Sequence, residues 1–393
     1  MIRSLILAVA AASIVAAQDP GPPVRPIVVR ASRIVTMEAA PPKSGVVVLR
    51  GAKIAAVGES AGVAVEAADV FEFADGIVYP GFIDAGSNAG VRRERDETTQ
   101  PIEANVRLAD AFDPLHRDFG RCLEAGITTT HLVPGDRDLV GGRSAVVKVG
   151  REGRVDFLRA DAALKLSLCE AEYLADRPRG GRFQIPGLFD SSDDGARPPT
   201  SLVGALAVLR HPTPQVAKDL AEARAGTRTV ILAARADREV DAAMALSKDL
   251  GFKTILCGDV TAGRFAEGIR KTMQGCILDP VLPGRKTFEL ALLAELAKSG
   301  TPIAFATYTP ANPPTTLLLS AVVSARLGLS TERTERALTI DAARMLGVDD
   351  RVGSIKAGKD ADLVVMSGPL TDARSRVLLV IQDGRVVHKA RGD

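Results

Sequence analysis

Histidine and cysteine are the side chains best suited to hold a metal or to attack a carbonyl, and this 393-residue chain has four of each, scattered along its length. His116 follows Asp113-Pro114-Leu115 in a helix-start context and reads as a surface residue, while His211 precedes Pro212 in a turn and His388 ends the last strand. His131 differs, because it lies in an apolar strand after three threonines and can face the inside of a fold. Cys122, Cys169, Cys257 and Cys276 match no zinc spacing such as C-x-x-C. An even count suits disulfides in an oxidising compartment, but at least three lie in apolar helix or strand, so buried thiols are the expected state. No His-Glu-x-x-His, Gly-x-Ser-x-Gly or Gly-x-Gly-x-x-Gly is present. Gly284-Arg285-Lys286-Thr287 has the end of a phosphate loop without its first glycine or its spacing, and reads as a helix start.

The charge balance narrows the partners. Fifty basic against forty-eight acidic residues leave a net +2, with no excess for a phosphate backbone, so nucleic-acid binding is not expected. Aromatics make up only 4% and Trp is absent, which leaves few platforms for stacking bases or sugars. At the N-terminus, Arg3, the apolar stretch from Leu5 to Val15 and the small residues Val15-Ala16-Ala17 read as a secretory signal cut near Gln18. A periplasmic or secreted protein is therefore expected. No cysteine adjoins the cut to carry a lipid anchor, and no later stretch reaches the roughly 18 to 20 apolar residues of a membrane span.

The elements that must position any site come in two kinds. From Ile27 to Tyr79 the chain has short β-rich runs with turns, including Val46–Leu49 and Lys53–Val57 on either side of Gly51, a hairpin signal. From Ile77 onward strands alternate with helices. Strands are expected at 82–85, 127–133, 163–168, 229–233, 253–257, 275–278 and 302–306. Helices are expected before Gly126 and at 238–250, 262–273 and 286–298. The tail, Asp362–Met366 and Val377–Val387 with its Asp383-Gly384 turn, returns to short strands. This α/β pattern predicts a TIM-like (β/α)8 barrel, with a doubly wound sheet as the other arrangement of such units. The predicted organisation is a signal peptide (1–17), a leader (18–26), a barrel (80–346), and a small flanking β-sandwich-type domain built from both chain ends (27–79 and 347–393).

Three stretches carry a family resemblance. Gly76-Ile77-Val78-Tyr79-Pro80-Gly81-Phe82-Ile83-Asp84-Ala85 resembles the start of the first barrel strand in the amidohydrolase superfamily, where a His-x-His pair follows. Arg344-Met345-Leu346-Gly347 through Arg351-Val352-Gly353-Ser354-Ile355-Lys356-Ala357-Gly358-Lys359-Asp360-Ala361-Asp362-Leu363 is similar to that superfamily's junction between barrel and closing sheet. Ala125-Gly126-Ile127-Thr128-Thr129-Thr130, with Pro134-Gly135 and Gly141-Gly142, resembles the second strand and following loop of the imidazolonepropionase-like and adenine-deaminase-like branches.

The resemblance implies one or two divalent metals at the barrel mouth, where they activate water. It also implies ligands from the His-x-His pair, from one histidine each on the fifth and sixth strands, and from an aspartate on the eighth. Here the pair's slot reads Ser87-Asn88-Ala89, the fifth strand offers Ala233, the sixth Gly258 (or Cys257 if the register slips by one), and the eighth Tyr308 or Thr307. Lys165 stands where some members carry a bridging carboxylated lysine. The cluster Arg92–Glu97 falls in the first strand's exit loop, where relatives place substrate contacts, and otherwise reads as a solvated loop.

No metal or other cofactor is expected. The expected pocket is lined by Ser87, Asn88, Ala89, Ala233, Gly258 and Tyr308, with Lys165 below and paired to a carboxylate or backbone carbonyls. His131 and Asp259 are further polar candidates. Two functions are weighed, the first of them preferred. One is an exported pseudoenzyme without a metal centre, with a binding or assembly role. The other is a hydrolase of carbon-nitrogen (non-peptide) bonds in a cyclic or amide substrate, working through a rearranged site that includes Cys257, Asp259 and His131. A small-molecule ligand in the mouth, a second copy of the chain or another protein are the expected partners.

Overall fold

Valine-rich runs separated by turn residues open the described chain as four strands, β1 (Ile27–Ile34), β2 (Gly45–Arg50), β3 (Lys53–Gly58) and β4 (Asp69–Pro80). The computed structural model describes residues 25–38, 45–59, 68–91, 102–169, 199, 201–284 and 286–390. The expected signal segment and the Arg92–Glu97 cluster lie outside the described residues.

Beyond Gly81 the chain enters the barrel with β5 (Phe82–Ser87), α1 (Arg117–Glu124) and β6 (Ile127–Leu132). Antiparallel strands follow, β7 (Val140–Arg143), β8 (Ala145–Val149) and β9 (Val155–Arg159), then β10 (Ala163–Ser167). From there strand and helix alternate. Helices α2 (Leu202–Arg210), α3 (Pro214–Asp219) and α4 (Ala221–Arg224) lead to β11 (Thr229–Ala233), and α5 (Asp237–Leu250) leads to β12 (Thr254–Gly258). Next come α6 (Ala266–Thr272), β13 (Gly275–Leu278), α7 (Thr287–Ser299) and β14 (Ile303–Phe305). Helices α8 (Thr316–Arg326), α9 (Thr331–Ala337) and α10 (Ile340–Leu346) precede the closing strands β15 (Leu363–Met366), β16 (Val377–Gln382) and β17 (Arg385–Lys389).

The barrel wall consists of two hydrogen-bonded arcs, β14-β13-β12-β11-β10-β7 and β5-β6-β8-β9. They meet at two seams. At one, Ser144 donates its N–H to the Ala163 carbonyl and accepts from the Ala162 N–H, each at 2.9 Å. At the other, the N–H groups of Thr307 and Tyr308 reach the Gly86 carbonyl at 3.1 and 2.8 Å. Strands β10 to β14 pair parallel, and Ile83, Val146, Ile231, Ile255, Ile277 and Ala304 fill the interior. One position in the ring departs from a regular β/α alternation, because β7 and β8 run antiparallel to their neighbours β10 and β6.

Both chain ends build the flanking sheet, whose order is β17-β16-β15-β4-β1-β2-β3. Lys148, on β8, ties this sheet to the barrel. It is 1% exposed, and its ammonium reaches Asp360 at 3.1 Å, Asp362 at 2.9 Å, and Asp383. Asp360 also meets Lys53 and Arg351, both at 2.7 Å, so the buried charges are compensated on both sides of the junction.

Candidate functional site

In a barrel of this kind the reacting groups sit at the C-terminal ends of the strands. The first of these ends is β5, whose Ile83 and Ala85 face the interior. Its pairing with β6 then shifts register between Asp84 and Ser87, so one extra residue is accommodated and the inward side changes parity. Gly86 now faces the mouth, since a Cβ there would stand 2.8 Å from the Ala306 Cβ and 3.4 Å from the Tyr308 Cε1.

Ser87 and Ala89 do not line the mouth, contrary to their expected place. Ser87 turns toward Asp84, and Ala89 packs with Leu108, Phe119 and Val147 outside the ring. Period-two alternation misplaces them because the bulge flips the sides. Asn88 is buried, with its N–H on the Thr309 carbonyl at 2.8 Å. Asp84 lies behind this turn, accepting from the Thr307 N–H at 3.0 Å and the Thr307 hydroxyl at 2.6 Å. Burial pushes its carboxyl up to about 6, with these hydrogen bonds opposing the shift.

Ala233 and Cys257 are neighbours across β11 and β12 and both face the interior. Gly258 does not face it: a Cβ there would lie 2.4 Å from the Ala234 carbonyl oxygen, within the wall itself. The one-residue alternative, Cys257, is the inward residue of this strand. Asp259 turns to the chain, accepting the Thr261 N–H at 3.3 Å to start a short 3-10 turn. Tyr308 reaches over the mouth, its hydroxyl 2.8 Å from Asp279 Oδ1 and 3.0 Å from Cys257 Sγ. Burial holds both the phenol and the thiol above their ordinary values, so each keeps its proton at neutral pH.

Lys165 is buried and does meet a carboxylate, Asp136, at 2.5 Å. Arg235 bridges Asp136 and Asp279, at 2.8 Å to each, and donates to Cys169 Sγ at 3.1 Å. Against the cost of burial, the Lys165 ammonium and the Arg235 guanidinium hold the Asp136 carboxyl well below the usual range. The mouth is thus a connected polar cluster, Lys165–Asp136–Arg235–Asp279–Tyr308–Cys257. Asp136, Arg235 and Asp279 went unrecognised in the sequence because they are not ligand types at ligand positions. Each follows the end of β6, β11 or β13 by one to four residues, a placement that marks a mouth residue in this fold.

His131 is fully buried, with Nδ1 2.8 Å from the Ala85 carbonyl oxygen. The other described imidazoles have local places, as with His116, which caps α1 through the Asp118 N–H. All four cysteines are buried free thiols.

These residues do not fit a divalent metal. The inward positions Gly86, Ala233, Cys257 and Tyr308 supply neither imidazole nor carboxylate, and a side chain at 86 would collide with Ala306. Among the described residues, one group has three ligand types within reach of a common ion, Asp156, Asp360 and Asp383. It lies at the flanking sheet, where Lys148, Lys53 and Arg351 already occupy Asp360 and Asp383. No described helix is long and apolar enough to cross a membrane.

Comparison with known proteins agrees with this architecture. The model of the amidohydrolase family matches residues 199–387. Imidazolonepropionase of Geobacillus kaustophilus (strain HTA426) is 34% identical over 109 residues, 26% of this chain and 26% of that protein. Imidazolonepropionase of Bacillus velezensis is 31% identical over 119 residues, 28% of each. The chain therefore spans only about a quarter of the length of the curated relatives it matches. Among solved structures, an amidohydrolase from Thermotoga maritima MSB8 superposes with a TM-score of 0.76 at 24% identity, covering 93% of this chain and 100% of that one. The ochratoxinase of A. niger superposes at 0.56 with 16% identity, covering 93% and 96%. The match to the amidohydrolase family thus falls on residues 199–387, the barrel's second half with the closing sheet, and the barrel with its composite sheet is the fold of the solved amidohydrolase.

Proposed function

We propose that this chain is a hydrolase of carbon-nitrogen (non-peptide) bonds in a cyclic or amide substrate, working through a rearranged barrel mouth. The observation that carries the reading is the connected polar cluster from Lys165 to Tyr308, built where the superfamily does its chemistry. The similarity to imidazolonepropionases supports the bond type. In this reading water attacks the carbonyl carbon, Asp279 takes its proton and returns it to the leaving nitrogen, and the Lys165 and Arg235 cations oppose the charge on the carbonyl oxygen. Asp136 is a poor base, being held ionised by two cations. Cys257 is a poor nucleophile, since burial keeps it a thiol. The test is product release from a panel of cyclic ureides, lactams and N-acyl amino acids. Asp279→Asn is expected to lower kcat by about 10²–10⁴-fold, with the fold intact by circular dichroism.

One observation favours a second reading. Gly86, Ala233, Cys257 and Tyr308 cannot make hydroxide by the superfamily's metal route, which suits a pseudoenzyme with a binding or assembly role. Ligand binding without turnover of any panel member decides for it. We further propose export to the periplasm or outside the cell, supported by Arg3, the Leu5–Val15 stretch and Val15-Ala16-Ala17. N-terminal sequencing of the exported protein should begin near Gln18, and an uncut chain retained in the cytosol would refute export.

A further inference from the structure

One buried group in the barrel is used neither by the wall nor by the polar cluster. His131 lies directly across from Val146 in the antiparallel β6–β8 pair. Facing residues in such a pair point to the same side, and Val146 belongs to the interior lining with Ala85, Ala233 and Cys257. The imidazole is therefore inside the barrel, near the end of β6 that opens on the mouth, and it is 0% exposed. Its Nδ1 is 2.8 Å from the Ala85 carbonyl oxygen, which can only accept, so Nδ1 carries the proton. Burial first, then the neighbouring Lys165 and Arg159 charges, lower the pKa to about 4, against the Ala85 hydrogen bond. At neutral pH the ring is uncharged, and Nε2 is a bare acceptor with no hydrogen-bond partner. Native structures seldom leave a buried acceptor unmatched.

We infer that His131 Nε2 is a specificity-determining contact of the barrel mouth, accepting a hydrogen bond from an N–H or O–H of the small molecule that enters there. The inference rests on the reading that the mouth takes a small-molecule ligand, and it adds a requirement: the ligand must bring a donor. The acceptor is fixed in place, since the Ala85 carbonyl sets the tautomer and the ring orientation. Lys165 across the interior is a donor, held charged by Asp136 against the cost of burial. A group that offers an acceptor beside a donor satisfies both side chains, while an N-methylated analogue leaves Nε2 bare.

The test reads the imidazole directly. Replacing His116, His211 and His388 by Gln leaves His131 the only imidazole of the full chain, so ¹⁵N-histidine labelling gives one Nε2 resonance. The probes are matched pairs: hydantoin and 1,3-dimethylhydantoin, succinimide and N-methylsuccinimide, acetamide and N,N-dimethylacetamide. The expected result is that at least one donor-bearing member moves Nε2 toward its hydrogen-bonded position, while its methylated partner binds about tenfold more weakly. His131→Leu should abolish that preference, and if this variant does not fold, the paired measurement on the native imidazole still decides. The inference is overturned if no donor-bearing probe moves Nε2, if the methylated partners bind equally well, or if Nε2 is already hydrogen-bonded in the free protein and unchanged by every probe, which would mean an ordered water only. Binding with an Nε2 shift but without turnover leaves this inference standing and removes the hydrolase reading. Turnover with an unmoved Nε2 does the reverse.

Discussion

Asp84 shows how a buried carboxylate is spent on architecture. It belongs to the stretch that precedes the ligand pair in relatives, yet its carboxyl is fully buried behind the β5 bulge and holds Thr307, so that it fixes where Tyr308 begins its reach over the mouth. Its pH dependence has a definite sign. Burial raises the folded-state value to about 6, while an unfolded aspartate titrates near ~3.9. The group's contribution to stability is thus complete below pH ~4 and is lost as pH rises to about 6, because the folded state must give up a proton it prefers to keep. Asp84→Asn keeps one of the two acceptor oxygens that Thr307 uses and has no proton to lose. Its unfolding free energy, measured in urea from pH 4 to 7, is expected to lack a decline on the order of 3 kcal/mol present in the native chain. Equal pH slopes in the two proteins would refute this. Asp362, also raised to about 6 by burial, is present in both and cancels from the comparison.

At the scale of elements, connection length explains where the barrel breaks its alternation. Only Val133–Leu139 separate β6 from β7, which runs on through Ser144 into β8, and a crossover to a parallel strand needs roughly a dozen residues or more, so the chain turns back and β8 pairs antiparallel with β6 while β7 meets β10. The hairpin at the other end of the chain obeys its local residues completely. Asp383 and Gly384 have φ of 50° and 66°, the two positive values of a type I′ turn that matches strand twist. A Cβ on Gly384 would meet the Gly51 carbonyl oxygen at 1.8 Å, so the turn also packs against the β2–β3 hairpin. Gly384→Ala is expected to destabilise by at least about 1–2 kcal/mol from the left-handed backbone alone, and by more from the collision, read as a lower denaturation midpoint. A midpoint unchanged within error would mean that the two hairpins do not touch.

For the whole molecule, the question is what keeps barrel and sheet as one unit. The sheet needs strands from both chain ends, with β4 lying between β1 and β15, and a few short strands are marginal alone. Lys148 adds a buried tie from the barrel's antiparallel hairpin to Asp360, Asp362 and Asp383 on the closing segment. Lys148→Met removes the cation and leaves the carboxylates facing one another. A loss of about 3–5 kcal/mol is expected, the usual effect of taking one partner from a buried ion pair. Suppressor changes of Asp362→Asn type should recover part of it. Native stability in Lys148→Met would show that the sheet docks by apolar contact alone.

Much of this protein was legible along the chain. The strands at 229–233 and 275–278, the helix ending before Gly126, the hairpin at Gly51 and the turn at Asp383-Gly384 follow from local rules, periodicity and turn chemistry, which neighbours in sequence decide. The family resemblance was legible too, because its motifs are continuous stretches. The site was only partly so. That Lys165 needs a carboxylate follows from the cost of burying a lone ammonium, but its partner being Asp136 depends on a loop returning across the mouth. The bulge that turns Gly86 inward and Ser87 and Ala89 away leaves no mark in composition, since it is set by pairing with β6 and by Ala306 and Tyr308 across the seam. Likewise Arg235 joins Asp136 to Asp279, residues 99 and 44 positions away along the chain. Which side of a strand faces the mouth, and which distant charges meet there, are properties of packing, and only the tertiary structure decides them.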